Sequence, residues 1–324
     1  MTSIYRRSFS KFMAVTAAAI MLGAGAAQAE VKGLEIMAPS GPGSGYDQLA
    51  RTIQTVLQDE KLASGIQVQN VAGGGGTVGL SQYVTGKKRN PTIMIVGFAL
   101  VGGVLTTKSA ITLDQTTPVA RLMGESDVIV VPANSDIKTI ADLVAKMKAN
   151  PGSVSWAGGS IGGFDHVLVG LIAKAAGVDP TKVNYVVHAG GGEVMASTLG
   201  GHATVGVSGV EEFRPQIQAG QVRALAISAD KRIPGFDVPT LKEAGVDVSL
   251  VNWRGIMTHP ETREVDKKAI SEMLATMVKS PAWKAALEKR GWIDTYQPTA
   301  EFGPFLKQQQ QQIEGALKDA GILK

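Results

Sequence analysis

Ser40-Gly41-Pro42-Gly43-Ser44-Gly45-Tyr46-Asp47 lies between a short apolar segment, residues 34–38, and a run in which Leu49, Ile53, Val56 and Leu57 recur at helical spacing. That is a glycine-rich turn from a strand into a helix, with Asp47 placed as an N-cap. The first N–H groups of a helix have no intrahelical acceptor and carry a partial positive charge, so such a turn attracts anions. Glycine lets the backbone approach a ligand with no Cβ in the way. Three similar turns follow strand-like segments: Gly73-Gly74-Gly75-Gly76-Thr77, Gly158-Gly159-Ser160-Ile161-Gly162-Gly163 and Gly190-Gly191-Gly192. Four such loops read as a receptor for a small polyanion.

The rest of the chain alternates in the same way, which predicts α/β layers with helices on sheet faces. Strands are expected at residues 66–71, 93–96, 128–131, 154–157, 184–187, 204–208, 224–228 and 246–251. Ile140, Leu143, Val144 and Met147 mark a helix that stops at Asn150-Pro151-Gly152, and Phe305, Ile313 and Leu317 put one apolar stripe on a C-terminal helix. No linker divides the chain, so two lobes joined by crossings near Gly124 and Ala226 are expected.

Residues 1–29 read as an export signal. Arg6, Arg7 and Lys11 form a basic head, residues 12–26 are apolar, and Ala27-Gln28-Ala29 is a small-x-small cleavage site. Arg6-Arg7 fits most of a twin-arginine signal, and the general secretory route stays open. The chain has no cysteine, which excludes a lipid anchor, disulfides, iron–sulfur ligation and cysteine-held zinc. No His/Asp/Glu run has metal spacing, and neither metal nor cofactor is expected. The +4 formal charge misleads: three of the 32 Lys and Arg residues and none of the 28 acids fall in residues 1–29, leaving 29 bases against 28 acids. Nucleic acid is therefore not an expected partner.

These residues resemble the extracytoplasmic receptors of tripartite tricarboxylate transporters (Bug-type solute receptors). The family's opening pattern corresponds to Pro42-Gly43-Ser44-Gly45-Tyr46-Asp47-Gln48-Leu49-Ala50-Arg51, and its next segment to Val68-Gln69-Asn70 with Gly73 to Gly79. Pro151-Gly152-Ser153-Val154-Ser155-Trp156 with Gly162 and His166, Gly220-Gln221-Val222-Arg223-Ala224-Leu225-Ala226, Val238-Pro239-Thr240-Leu241 and Trp253-Arg254-Gly255 continue it in the family's order. Two stretches depart from the pattern: Val186-Val187-His188-Ala189-Gly190 stands where many relatives have Val-Pro-Tyr-Lys-Gly, and Asn90-Pro91-Thr92-Ile93 replaces an Asp-Gly-Tyr-Thr stretch. The loop ending in Glu193 and the Asn252-Trp253-Arg254-Gly255 run look like the branch serving citrate-like acids.

The resemblance implies a periplasmic, two-lobed α/β clamshell of type II with the ligand cleft between lobes. Lobe 1 would comprise residues 30–124 and 229–324, and lobe 2 residues 125–228. The implied ligand is a tricarboxylate, with a dicarboxylate or aromatic carboxylate as the alternative. The implied partner of this monomer is a membrane permease with large and small subunits. Amides of Gly43, Ser44, Gly45 and Tyr46, and of Gly75, Gly76 and Thr77, would hold one carboxylate, with Asp47 and the hydroxyls of Ser40, Ser44 and Thr77 beside them. Gly159, Ser160, Gly190, Gly191 and Gly192 would hold another, and Ser208 is grouped with them. Plainer readings stay open: turn-making glycines, a capping Asp47, a half-buried Tyr46, a structural His166, and a surface ion pair at Arg254.

Two spellings suggest enzymes. Gly158-Gly159-Ser160-Ile161-Gly162 fits a nucleophile elbow, and a periplasmic serine hydrolase using Ser160 would need partners such as Asp237 and His259. Gly74 to Gly79 spells a dinucleotide fingerprint, but the acid expected some twenty residues on is replaced by Phe98-Ala99-Leu100-Val101. No enzymatic activity is expected.

Overall fold

A computed structural model describes residues 30–87 and 90–323; the expected export signal lies outside them. The chain opens with β1 (Val31–Lys32), β2 (Glu35–Ala38) and α1 (Gly45–Asp59). Next come β3 (Ala63–Ser64), β4 (Gln67–Asn70), α2 (Thr77–Thr85), β5 (Thr92–Gly97), α3 (Phe98–Thr107) and β6 (Thr117–Glu125). Helix α1 buries Leu49, Ala50, Ile53, Val56 and Leu57 on its inner face. Its N-cap is Ser44, whose Oγ accepts the Asp47 N–H at 3.4 Å. Asp47 thus sits one turn inside, at the third helical position, and not at the cap.

Then follow β7 (Asp127–Pro132), α4 (Ile140–Ala149), β8 (Ser155–Gly158), α5 (Phe164–Ala175) and β9 (Asn184–Val187). They are succeeded by α6 (Gly191–Leu199), β10 (Val205–Gly209), α7 (Val210–Gln218) and β11 (Val222–Ile227). The chain ends with β12 (Asn252–Thr258), α8 (Glu264–Met277), α9 (Pro281–Lys289), β13 (Ile293–Gln297) and α10 (Thr299–Asp319). Residues 246–251, expected as a strand, run outside any ladder; the Leu250 N–H donates to the Ser228 carbonyl at 2.9 Å instead.

Two large sheets result. One has the order β13-β6-β12-β5-β2-β4 and the other β11-β7-β10-β8-β9. Each has a parallel side, β5-β2-β4 and β10-β8-β9, on which every strand runs directly or through a short loop into a helix. The fully buried β5 packs both faces, as a central strand must. In β7, Ile129 and Val131 join the main apolar cluster, which spans both sheets, whereas Val128 and Val130 join a second cluster with Phe213 and Val194. That division follows the two-residue period of a strand buried on both sides.

The sheets are joined where β6 passes into β7 and where the chain leaves β11. Ser126 and Ser228 tie these passages together. Their hydroxyls lie 3.2 Å apart, Ser228 Oγ accepts the Asp127 N–H at 3.1 Å, and Ser126 Oγ accepts the Ala229 N–H at 3.0 Å. Both serines are buried. Ser228→Ala leaves the Asp127 N–H without its acceptor, and a loss of about 1–3 kcal/mol in stability is expected. The urea midpoint measures this, and an unchanged midpoint would show that the passage does not depend on the tie.

Helix α10 belongs to neither sheet alone. It begins against β6 and α3 and ends on α5, where a Cβ on Gly170 would lie 3.3 Å from Ala320 Cα and where Lys174 pairs with Asp319 at 2.8 Å.

Candidate functional site

A cavity of about 340 Å³ lies between the two sheets, at the C-terminal ends of their parallel strands. In open α/β sheets this is where ligands are held, because helix N-termini gather there. The β2–α1 turn contributes Pro39, Ser40, Gly41, Ser44, Gly45 and Tyr46, and the β4–α2 turn contributes Ala72 and Gly73 to Gly76. Ala99 comes from the first turn of α3, Gly159 and Ser160 from the β8–α5 turn, Ala189 from the β9–α6 turn, and Asn252 and Arg254 from β12.

The local backbone explains the glycines. Gly73, Gly74, Gly75 and Gly76 have φ of 127°, 57°, 64° and 100°, four consecutive left-handed residues that L side chains rarely adopt. They form a tight turn on α3, and a Cβ on Gly75 would lie 3.0 Å from Gly103 Cα. Tyr46 fixes the neighbouring helix. Its hydroxyl oxygen accepts the Leu100 N–H at 3.0 Å, at the third position of α3, whose own N-cap is the side-chain-less Gly97. Burial pushes the phenol up to about 12, against the opposing pull of the Leu100 N–H and Arg254, so it stays neutral. Tyr46 is therefore both buried and part of the cavity wall.

Several amides expected to face a ligand are already engaged. The Gly43 N–H donates to Asp47 Oδ2 at 2.8 Å, the Gly76 N–H to the Gly73 carbonyl at 2.9 Å, and the Thr77 N–H to the Gly74 carbonyl. The Gly159 N–H donates to Asp165 Oδ2 at 2.7 Å. Gly45 and Tyr46, the first two residues of α1, have no intrahelical acceptor. Asp47 is a brace for the loop. Burial disfavours its charge, yet Arg51, the Gly43 amide and Asn70 together hold the carboxyl below its ordinary range.

Of the residues named from sequence, Ser40, Ser44, Gly45, Tyr46, Gly75, Gly76, Gly159 and Ser160 meet at the cavity, whereas Gly43, Asp47, Thr77, Gly190, Gly191 and Ser208 do not line it. The Thr77 hydroxyl donates to the Gly74 carbonyl at 2.9 Å, and Gly190 is the N-cap of α6. Ser208 donates to Glu212 Oε2, and a Cβ on Gly191 would lie 2.5 Å from Glu212 Cδ, so that glycine makes room for a side chain. Ala72, Gly73, Gly74, Ala99, Ala189 and Asn252 are lining residues absent from the sequence-derived set. The α3 turn was signalled by the same strand–glycine–helix pattern, residues 92–98. Arg254, left open above, lines the cavity and is only 5% exposed, with Glu125 as its ion-pair partner.

Behind the β8–α5 turn lies a group of acids. Burial and then the Asp165 carboxylate push Asp127 well above the ordinary range, and burial raises Asp165 as well. Glu212 is pushed up to about 7 by burial, with the Glu125 and Asp165 carboxylates adding to it and the Ser208 hydroxyl opposing. His166 serves the turn itself. Its Nδ1 accepts the Gly162 N–H at 3.2 Å, its ring stacks on Tyr185 with centroids 4.1 Å apart, and burial pushes it down to about 4. At the cavity edge the halves touch: a Cβ on Gly102 would lie 3.0 Å from the Gly162 carbonyl carbon, and the Phe98 and Phe164 rings meet edge to face at 5.2 Å.

The hydrolase constellation is not assembled. Asp237 is 99% exposed and pairs with Arg232 at 3.0 Å. His259 is buried, with Nδ1 accepting the Glu261 N–H at 3.1 Å and Nε2 3.2 Å from the Val84 carbonyl. Among the described residues no group of three or more His, Asp or Glu side chains is placed to hold a metal ion, and no helix is long and apolar enough to cross a membrane.

Residues 49–321 match the sequence model of the tripartite tricarboxylate transporter family receptors. The chain is 25% identical to Protein BugT of Bordetella pertussis over 283 residues, covering 80% of this chain and 84% of that protein. Solved structures with bound carboxylates are among those that share its fold. R. palustris Rpa4515 with adipate superposes with a TM-score of 0.82 at 19% identity, covering 90% of this chain and 97% of the other. MatC from Rhodopseudomonas palustris with bound malate gives 0.77 at 19% identity, covering 89% and 99%. The chain thus belongs to the tripartite tricarboxylate transporter receptor family, solute-binding receptors rather than enzymes, and has the two-lobed α/β clamshell of periplasmic binding proteins.

Proposed function

We propose that this protein captures a small organic di- or tricarboxylate in the cavity between its sheets and delivers it to a membrane permease built of a large and a small subunit. The observation that carries the reading is the meeting, at one cavity, of helix starts from both sheets with a buried arginine. Lobe 1, residues 30–124 and 229–324, supplies the α1, α2 and α3 starts and Arg254; lobe 2, residues 125–228, supplies Ser160 and the neighbouring turn. The ligand-facing set is Ser40, Ser44, Gly45, Tyr46, Gly75, Gly76, Ala99, Ser160, Asn252 and Arg254. Residues 1–29 direct export of a monomer to the periplasm, with cleavage after Ala29.

Size and lining favour a compact aliphatic acid. Small-molecule pockets span about 300–1,000 Å³, and 340 Å³ lies at the lower end. Tyr46 is the one aromatic side chain in the wall among the described residues, and its hydroxyl is engaged with α3, which disfavours an aromatic acid. The adipate and malate named with two structural neighbours are dicarboxylates, and they support that class beside citrate. Hydrogen bonds to a charged acceptor contribute about 1.5–3 kcal/mol each, so a few such donors suffice for micromolar binding, which needs about 8 kcal/mol.

Thermal unfolding with citrate, malate, adipate and benzoate tests this. An aliphatic acid at a hundred times its Kd should stabilise the protein by about 2.7 kcal/mol. Unfolding curves that superpose with and without every acid at millimolar concentration would overturn the reading.

A further inference from the structure

We propose that Arg254 grips one carboxylate of the bound acid directly and that Glu125 positions it for this task, so that a side-chain cation, and not backbone dipoles alone, selects the ligand. The inference rests on the receptor reading above and names the residue that reads the charge.

Among the described residues Arg254 is the one charged side chain in the cavity wall; the rest of the wall is glycine, alanine, proline, serine, tyrosine and asparagine. A guanidinium carries five N–H donors in a rigid fork suited to a carboxylate. Here Nη2 donates to Glu125 Oε1, Nη1 has only the weak acceptor Met123 Sδ at 3.9 Å, and Nε–H has no acceptor among the described residues. Leaving a buried cation with unused donors is costly unless something else accepts from it. Nε is itself inaccessible, so the acceptor that a carboxylate in the cavity adds goes to the terminal nitrogens of the fork.

The surroundings are built around the side chain. A Cβ on Gly45 would lie 2.7 Å from Arg254 Cζ, so the glycine at the first position of α1 is what lets the guanidinium reach the wall. The Tyr46 ring lies 5.8 Å from the same carbon. Glu125, at the end of β6, does not line the cavity. Its Oε1 accepts from Arg254 and, at 3.3 Å, from Asn252 Nδ2. These are the two residues of β12 in the wall, two apart and hence on one face of the strand. One carboxylate therefore holds both wall side chains of β12 from behind. Burial alone would weaken the arginine's hold on its proton, and the Glu125 carboxylate outweighs it, so the side chain stays cationic.

The test is calorimetric titration of wild type, Arg254→Gln, Arg254→Lys and Glu125→Gln with citrate, malate, adipate and adipamic acid, in which one carboxylate of adipate is an amide. Wild type should prefer adipate to adipamic acid by at least tenfold. Arg254→Gln should lose about 100-fold for the diacids and abolish that preference, and Arg254→Lys should recover part of both. Glu125→Gln should weaken the diacids about tenfold while keeping the preference. A merely structural ion pair would lower thermal stability and leave the diacid-to-amide ratio untouched, which overturns the proposal. If the variants do not fold, the Arg254 Nε–H resonance of the wild type decides. It should move on saturation with the best-binding acid, and an unmoved signal overturns the inference. Wild type that binds while Arg254→Gln binds equally well sinks only this inference. Wild type that binds none of the acids sinks the receptor reading with it.

Discussion

Gly76→Val is expected to abolish measurable acid binding, a loss of at least 100-fold, and to lower the unfolding temperature. Gly76 has φ of 100° and closes four left-handed residues in succession. A β-branched residue there meets a backbone penalty of about 1–2 kcal/mol before any contact is counted. Its Cβ would also lie 3.0 Å from Leu100 Cδ1 and 3.2 Å from the Pro39 carbonyl oxygen, so the turn cannot absorb the side chain without moving away from both α3 and the β2–α1 loop. These three segments supply most of the cavity wall on the side of β2. Calorimetry against adipate and citrate measures the loss, with near-ultraviolet circular dichroism reporting whether the core is kept. Wild-type affinity in this variant would remove the tetraglycine turn from the site.

Glu212→Gln is expected to make the protein more stable at pH 8 by about 2 kcal/mol while leaving it nearly unchanged at pH 4.5. In the folded chain the Glu212 carboxyl is pushed from its ordinary 4.5 up to about 7. The folded state therefore holds this proton more tightly than the unfolded state does. The stability tied to it is complete below pH 4.5 and drains away as pH rises through 7. At 1.36 kcal/mol per unit the full shift is worth about 3 kcal/mol, reduced here because the side chain is only partly buried. His166 works in the opposite sense. Its folded value near 4 makes the protein gain stability as pH rises from 4 to 6.5, so wild type alone mixes the two effects. The difference between wild type and Glu212→Gln, measured by urea unfolding at half-unit steps of pH, isolates the carboxyl. A difference that stays flat from pH 4.5 to 8 would show that Glu212 is ionised throughout.

The glycine turns were legible in sequence because a strand, a glycine cluster and a helical stripe are all local signals. Ser44, Gly45, Tyr46, Gly75, Gly76 and Ser160 reached the cavity for that reason. What stayed hidden depends on partners far apart in the chain. The Tyr46 hydroxyl serves a helix start 54 residues on, and Glu125 meets Arg254 across 129. No local pattern shows that the Gly159 amide is taken by Asp165. The central strands β6 and β12 were missed because Arg121 and Arg254 interrupt runs that antiparallel neighbours bury. Residues 246–251 have the composition of a strand but find no neighbour to pair with, since the segment serves as the return passage between sheets.

Helix α10 leans on β6 at its start and on α5 at its end, so the final turns of the polypeptide form a seam between the two halves. A dye or spin label near Asp319 would sit beside that seam and register any change in the spacing of the halves without entering the ligand's space. A bulky fusion appended after the last residues would press on the same place. Its effect on ligand release should be checked before a tagged protein is taken to represent the native one.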